Sequence, residues 1–314
     1  MAKTPHSVAA PLRIGTRDSR LALWQAERVK RGLEEAGHAC ELVPVKSEGD
    51  LDTVTPLYEM GVQGVFTRSL DAALLAGRVD LAVHSMKDVP TGLAQGISIA
   101  AVLERGNPMD LLLTRDGASF MDDPERAAVI GSGSVRRRAQ WSRRFPPHEL
   151  RNLRGNVDTR LRKLREEGLD GIIIAAAGLE RTGQRPPDAI VLDWMLPAPA
   201  QGAILVVRRE DDALAAEATA HLGHAETALC AGIERDFLRH LHGGCSSPIG
   251  ALAIVRDGTL NFRGNVLSVD GTCEMTIERK EPIGPENASM GIRAAEELLQ
   301  QGAGELIVKG EHRP

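Results

Sequence analysis

The chain has 314 residues, a net charge of −5 and a sequence pI near 6.0, a balance that argues against a general nucleic-acid binder or a protein held to anionic membranes by charge. Only 3% of residues are aromatic, which disfavours base-stacking platforms, and the length suits two or three domains. Cys40, Cys230, Cys245 and Cys273 form no C-x-x-C pair and suit the reduced thiols of a cytosol. Residues 1–11 lack the apolar core of a signal peptide, and the run 172–177 is too short to span a bilayer. The expectation is a soluble cytoplasmic protein without repeats or low-complexity segments.

Taken in order, the apolar run 12–14 is a strand that Gly15, Thr16, Arg17, Asp18 and Ser19 turn into a helix. Its apolar positions Ala22, Ala26, Val29, Leu33 and Ala36 step by four and three. Ser19 suits its N-cap and Gly37 its stop. The segment 42–45 completes a β-α-β unit, so Arg17 and Ser19 fall at a strand's carboxyl end, the rim where open α/β sheets bind ligands. They can meet an anion there, or serve only as a solvated charge and a cap. Residues 48–64 show no sustained period and several breakers, the pattern of a surface loop able to act as a lid. A helix over 66–76 follows, with Phe66, Leu70, Ala73 and Leu74 on one side. Phe66 by itself reads as a core residue.

The run 81–83 is a buried strand, and Pro90 cannot extend a ladder, so His84 to Asp88 lie at its carboxyl end. Adjacent strand residues point to opposite faces, which makes His84 and Ser85 a poor nucleophile–base pair. Lys87 and Asp88 are better placed for chemistry, although Asp88 ahead of Val89 and Pro90 also suits a plain turn. After a strand at 97–102, the polar segment 104–110 marks a crossover into a second α/β unit built from 110–114, 129–130, 157–167 and 171–177.

Arginine density beside glycine turns distinguishes this second unit. Gly131, Ser132, Gly133 and Ser134 lead into a helix from Val135 that carries Arg136, Arg137 and Arg138 at its start. Helix-start N–H groups, two hydroxyls and guanidinium forks together suit a carboxylate or phosphate. Neither a nucleotide P-loop nor a dinucleotide glycine motif is present. Arg154, Gly155 and Asn156 repeat the arrangement at the next helix, with Arg160 one turn in. A solvated basic face explains any one of these arginines, but is strained by two sets at successive helix starts.

The Pro-rich segment 196–202, which contains Gln201, is a second crossover before a strand at 203–207, and two crossovers indicate two lobes and a hinge. From His224 the pattern becomes a long helix, strands near 251–255, 259–266 and 273–279, and a last helix at 288–301. The expected division is 12–103 plus 202–222, then 108–196, then a small α+β domain at 224–314. Inside the last lies the sequence His240, Leu241, His242, Gly243, Gly244, Cys245. A metal reading of the two histidines and the cysteine lacks a fourth ligand of fitting spacing. Gly243 and Gly244 let the backbone approach whatever Cys245 presents, while Pro248 and Gly250 fix a turn after it. Taken alone, a cysteine is more often a small buried hydrophobe.

With GTRDS, LAVHSMKDVP, GSGSVRRRAQ, LRGNVDTRL and HGGCSSPIG in one order, residues 12–310 closely resemble the porphobilinogen deaminase (hydroxymethylbilane synthase) family. The resemblance implies an α/β fold of two periplasmic-binding-protein-like lobes with a third small α+β domain. It also implies a dipyrromethane cofactor joined by a thioether to a cysteine, and condensation of porphobilinogen units with loss of ammonia. By motif match Cys245 is the attachment thiol and Asp88 the catalytic carboxylate. The same match gives Lys87, Ser132, Ser134, Arg136, Arg137, Asn156, Arg160 and Gly178 to the cofactor. Arg17, Ser19, Phe66, Arg154, Arg160, Arg181 and Gln201 go to the substrate. Partners reduce to the small molecule porphobilinogen, with no nucleic acid, no membrane and a monomeric chain.

One departure stands out: where the family usually shows Lys-x-Gly-x-Lys in the lid, this chain has Glu59 and Gln63 around Gly61. Closure over an anionic substrate should be electrostatically less favourable, with weaker substrate capture. Three other readings remain at this level: a two-lobed solute-binding or sensor protein without chemistry, a metal enzyme using His240, His242 and Cys245, and a degenerate relative of the family that keeps the cofactor but elongates poorly.

Overall fold

The computed structural model describes residues 10–46, 67–123, 125–244 and 247–308. Strand β1 (Leu12–Thr16) runs into helix α1 (Arg20–Glu35), where Ala22, Ala26, Val29 and Leu33 recur at helical spacing and are buried. Ser19 caps α1 by accepting the Ala22 N–H at 3.3 Å. Gly37, at φ +90°, turns the chain towards β2 (Cys40–Pro44). Helix α2 (Arg68–Leu75) then leads to β3 (Leu81–Ser85), and β4 (Ile97–Val102) follows.

The chain next builds β5 (Asp110–Thr114), β6 (Val129–Gly131), α3 (Val135–Arg144), β7 (Glu149–Arg151), α4 (Val157–Glu166), β8 (Gly171–Ala175), α5 (Ala176–Arg181) and β9 (Ile190–Val191). Strand β10 (Ile204–Arg209) goes back to the first sheet, and α6 (Ala213–Thr219) closes that lobe. The rest is α7 (Ala225–His240), the meander β11 (Ile249–Arg256), β12 (Thr259–Leu267) and β13 (Glu274–Pro282), then α8 (Met290–Gln300) and α9 (Ala303–Val308).

The first sheet has the order β2-β1-β3-β10-β4 and the second β7-β6-β8-β5-β9. In each, a parallel trio is followed by one antiparallel strand. That strand, β10 or β5, is the first to form after the chain crosses between lobes. This shared order and double crossing are the topology of paired periplasmic-binding-protein-like lobes. The third sheet, β11-β12-β13, is covered by α7 and α8, whose Cys230, Ile233, Phe237, Met290, Ala294 and Leu298 share its core with Phe262 and Leu260.

The two crossings touch. The Gly106 N–H donates to the Gly202 carbonyl at 3.0 Å. Gly202 has φ +89°, and a Cβ there would lie 2.6 Å from the Gly106 carbonyl oxygen, so only glycine fits. Arg105 of the first crossing donates to Glu234 of α7 at 2.6 and 2.9 Å and to the Gln201 carbonyl at 2.8 Å. Glu234 also accepts the Ala200 and Ala253 N–H groups at 2.6 and 2.7 Å. One carboxylate thus ties both crossings to the third unit. The short strands β7 and β9 and the last helix α9 are additions to the sequence expectation.

Candidate active site

Strand β3 ends at Ser85, and Met86–Asp88 form a 3-10 turn that swings Lys87 and Asp88 over the rim. Asp88 lines a cleft of about 60 Å3 with Arg17, Ser19, Gln25, Thr67, His84 and Ser85. Both His84 and Ser85, the last two positions of β3, line this cleft. They are still no catalytic pair, because the Ser85 hydroxyl exchanges hydrogen bonds with the Gln25 amide at 2.8 and 3.2 Å. Burial, with Arg17 adding to it, holds the His84 imidazole neutral by lowering its pKa to about 4.

The second lobe faces this rim with its helix starts. The Ser132 hydroxyl accepts the Ser134 N–H at 3.3 Å and Ser134 caps α3. Asn156 caps α4 by accepting the Thr159 N–H at 2.9 Å. Arg160 donates to the Gly155 carbonyl at 2.8 Å, and Gly155 sits at φ +107°. Ser134 and Asn156 are therefore caps, while Ser132, fully buried, braces the turn before α3.

Asp110, at the start of β5, is the group that sequence reasoning missed. It is fully buried, 2.8 Å from Arg136 Nη2 and 2.8 Å from Arg137 Nη2. Burial opposes its ionisation, yet the two guanidinium groups outweigh burial and hold its carboxyl well below the usual range. Gln201 donates to Asp110 at 2.8 Å and accepts from Lys87 Nζ at 3.2 Å. It bridges the lobes through one amide. Arg136 and Arg137 also donate to the carbonyls of Leu196 and Ile173 at 2.5 and 3.0 Å. Both are only 4% exposed, so they serve as internal partners of Asp110 more than as the free cleft cations expected from the motif.

The cations here outnumber the carboxylates. Burial pushes Lys87 down to about 8; Asp88 raises it, while Arg137 and Arg136 lower it. Arg160 is pushed down to about 10 by burial and then by Arg137 and Arg154, with Asp88 pulling upward. Arg154 is 5% exposed. Cations that depress one another around a cleft fit a ligand carrying several carboxylates. The residues present therefore suit a dipyrromethane bearing acetate and propionate groups.

Arg181 has another setting. It donates to the Gly202 carbonyl at 2.5 Å and stacks over Trp24 at 5.6 Å, and burial lowers its pKa to about 10. Gly178, in α5, packs beside Leu21 and Val157, which a Cβ there would meet at ordinary van der Waals distances of 3.7 and 3.8 Å. Cys245, Phe66, Glu59 and Gln63 lie outside the described residues. Near the attachment loop, a Cβ on Gly243 would fall 2.5 Å from Ile249 Cδ1, while Gly244 borders open space. His240 Nε2 lies 3.5 Å from Glu296 Oε1, and Cys245, the third member of the metal reading, is outside the described residues.

The family model described as porphobilinogen deaminase, dipyromethane cofactor binding domain, matches residues 12–217, and the one described as porphobilinogen deaminase, C-terminal domain, matches residues 228–300. The porphobilinogen deaminase of Syntrophotalea carbinolica is 43% identical over 303 residues, covering 95% of this chain and 96% of that protein. That of Pelotomaculum thermopropionicum is 42% identical over 302 residues, covering 94% and 95%. Among solved structures, the substrate-binding protein AbpA of Streptococcus pneumoniae is 15% identical, covers 68% of this chain and 86% of its own, and has a TM-score of 0.37. That likeness is too slight to bear on fold or function. The two family models and the near-full-length relatives agree with the cationic cleft: the chain belongs to the porphobilinogen deaminase family.

Proposed function

We propose that the chain is a hydroxymethylbilane synthase in which Asp88 is the catalytic carboxylate and Cys245 the attachment point of the dipyrromethane. The reaction joins four porphobilinogen molecules head to tail with release of ammonia, and water then releases hydroxymethylbilane for tetrapyrrole synthesis. The observation that carries the site assignment is the meeting of Asp88 with Lys87, Arg160 and the Arg136–Arg137–Asp110 group across the cleft.

When bound, the dipyrromethane supplies the α-carbon to which the first substrate unit is joined. The chain's own groups do the rest. Lys87, Arg154 and Arg160 meet carboxylates of ring substituents, and Arg17 and Ser19 approach from the opposite wall. Loss of ammonia from porphobilinogen leaves positive charge on a pyrrole, and an ionised Asp88 at the pyrrole N–H stabilises that charge. The same carboxylate can take the proton that leaves the attacked α-carbon. Neutral His84 and Ser85 complete the wall without adding charge. Gln201 holds Lys87 against the second lobe. Phe66 is assigned to a pyrrole ring by motif alone.

The working domain division is 12–103 plus 202–222, 108–196 and 224–314, supported by the membership of the three sheets. A monomeric, cytoplasmic enzyme is part of the proposal; no described helix is long and apolar enough to cross a membrane. The test is the mass of the intact denatured protein together with turnover. Wild type and Asp88→Asn should both be heavier than the sequence by two pyrrole units, and Cys245→Ser should not. Asp88→Asn should lose on the order of 100-fold or more in kcat. An Asp88→Asn variant with wild-type turnover would remove Asp88 from the mechanism.

A further inference from the structure

Helix α7 begins the third unit, yet one of its stripes faces away from that unit's core. Thr227, Ala231, Glu234 and Arg235 recur at helical spacing along it. Thr227 Oγ1 accepts the Arg105 N–H at 3.0 Å. Ala231 packs in the first lobe's core with Met86, Val89 and Leu205. Glu234 holds the crossings, as described above. Arg235, 9% exposed, reaches the turn that carries Lys87 and Asp88. Its Nη1 donates to the Met86 carbonyl at 3.2 Å and the Val89 carbonyl at 2.8 Å, and its Nη2 donates to the Pro90 carbonyl at 2.7 Å.

Those three carbonyls bracket Asp88. A 3-10 turn of three residues followed by extended backbone and proline has little hydrogen bonding of its own: within it, the Val89 N–H reaches the Met86 carbonyl at 3.2 Å. Elsewhere the Met86 N–H is held by the Ala203 carbonyl at 3.0 Å. A rigid, planar, always-charged fork is suited to fixing several carbonyls at once, which a lysine ammonium on a flexible stem does less well. The helix bearing that fork ends at His240, shortly before Gly243, Gly244 and Cys245 in the sequence.

We infer that Arg235 is a positioning residue for catalysis: by clamping the Met86, Val89 and Pro90 carbonyls it fixes Asp88 relative to the helix that leads to the attachment loop. The inference rests on Asp88 being the catalytic carboxylate. Arg235 touches neither substrate nor cofactor in this role, and acts only through the turn. Displacing a reacting group by about 1 Å can cost on the order of 100-fold in rate, so loss of the clamp should be felt in kcat.

The experiment uses the full-length, cofactor-loaded enzyme with Arg235→Gln and Arg235→Lys, each in the wild-type and Asp88→Asn backgrounds. Intact mass establishes loading, and steady-state kinetics with porphobilinogen separates kcat from KM. Arg235→Gln should keep the added mass and a KM within about threefold, while kcat falls roughly 10- to 100-fold. Arg235→Lys, which keeps the charge and fewer donors, should recover part of the loss. In the Asp88→Asn background Arg235→Gln should cost at most about twofold more, because both changes remove one function. The inference is overturned if loaded Arg235→Gln keeps wild-type kcat, if KM alone changes, or if the two losses simply multiply. It is also overturned if Arg235→Lys, loaded and folded, is no better than Arg235→Gln. Failure of the underlying assignment is separately visible, as full turnover in Asp88→Asn alone.

Discussion

Replacing Glu234 by glutamine should be among the most destabilising isosteric changes available to this chain. Both carboxylate oxygens are fully used: Oε1 accepts from Arg105 Nη1 at 2.6 Å and the Ala253 N–H at 2.7 Å, and Oε2 from Arg105 Nη2 at 2.9 Å and the Ala200 N–H at 2.6 Å. All four partners are donors. Whichever oxygen becomes an NH2 group, that group faces one guanidinium N–H and one backbone N–H, so two bonds are lost. Arg105 also loses its counter-charge at a site where the carboxylate side chain is 0% exposed. Breaking a buried pair from one side costs about 3–5 kcal/mol. At about 2–4 °C per kcal/mol for a chain of this size, the expected fall in Tm is roughly 6–20 °C. Calorimetry and urea unfolding measure it, urea being preferable to guanidinium because it adds no ionic screening. A loss below about 1 kcal/mol would refute the view that this carboxylate fastens the three units together.

Other consequences can be measured directly. His84 has a folded pKa near 4, below its ordinary value of 6.5, so between these values the unfolded chain binds a proton that the folded one refuses. Stability should therefore fall as pH drops through that window, by up to about 3 kcal/mol. In urea unfolding His84→Gln should lose less between pH 7 and 5 than wild type; equal losses would discount the shift. Lys87, lowered to about 8, carries charge below that pH and loses it above. KM for porphobilinogen should rise by up to about tenfold per unit above pH 8, and Lys87→Met should flatten that rise. Gly202→Ala should cost about 1–3 kcal/mol from its positive φ alone, plus the clash with the Gly106 carbonyl; an unchanged Tm would show that the crossings separate easily.

Periodicity revealed most of the architecture. Helix α1, strand β3 and strand β4 have apolar spacing that admits one reading, and the two crossovers stood out by their prolines and glycines. The very short strands β7 and β9 carry too few residues to show any period and are held by their neighbours. At the site, Asp88, Lys87 and the capping Ser134 and Asn156 were legible because their local sequence fixes where they sit. Asp110, Arg105 and Glu234 were not. Each is an ordinary charged residue in sequence, and its meaning comes from partners far along the chain, 129 residues apart for Arg105 and Glu234. His84 and Ser85 both line the cleft, which strand alternation alone did not reveal.

The placement of β10 between β3 and β4 also constrains the order in which the protein can assemble during synthesis. Every strand of the second sheet lies between residues 110 and 191, so that lobe can close its hydrogen-bonding ladder as soon as its own segment has emerged from the ribosome. The first sheet cannot. Until residue 209 is available, β3 and β4 flank an empty slot, and the earliest-made strands expose unpaired backbone edges. The lobe bearing Asp88 is thus begun first and finished after the other. During that interval its open edges can pair with another chain, a hazard that the second lobe has already closed off.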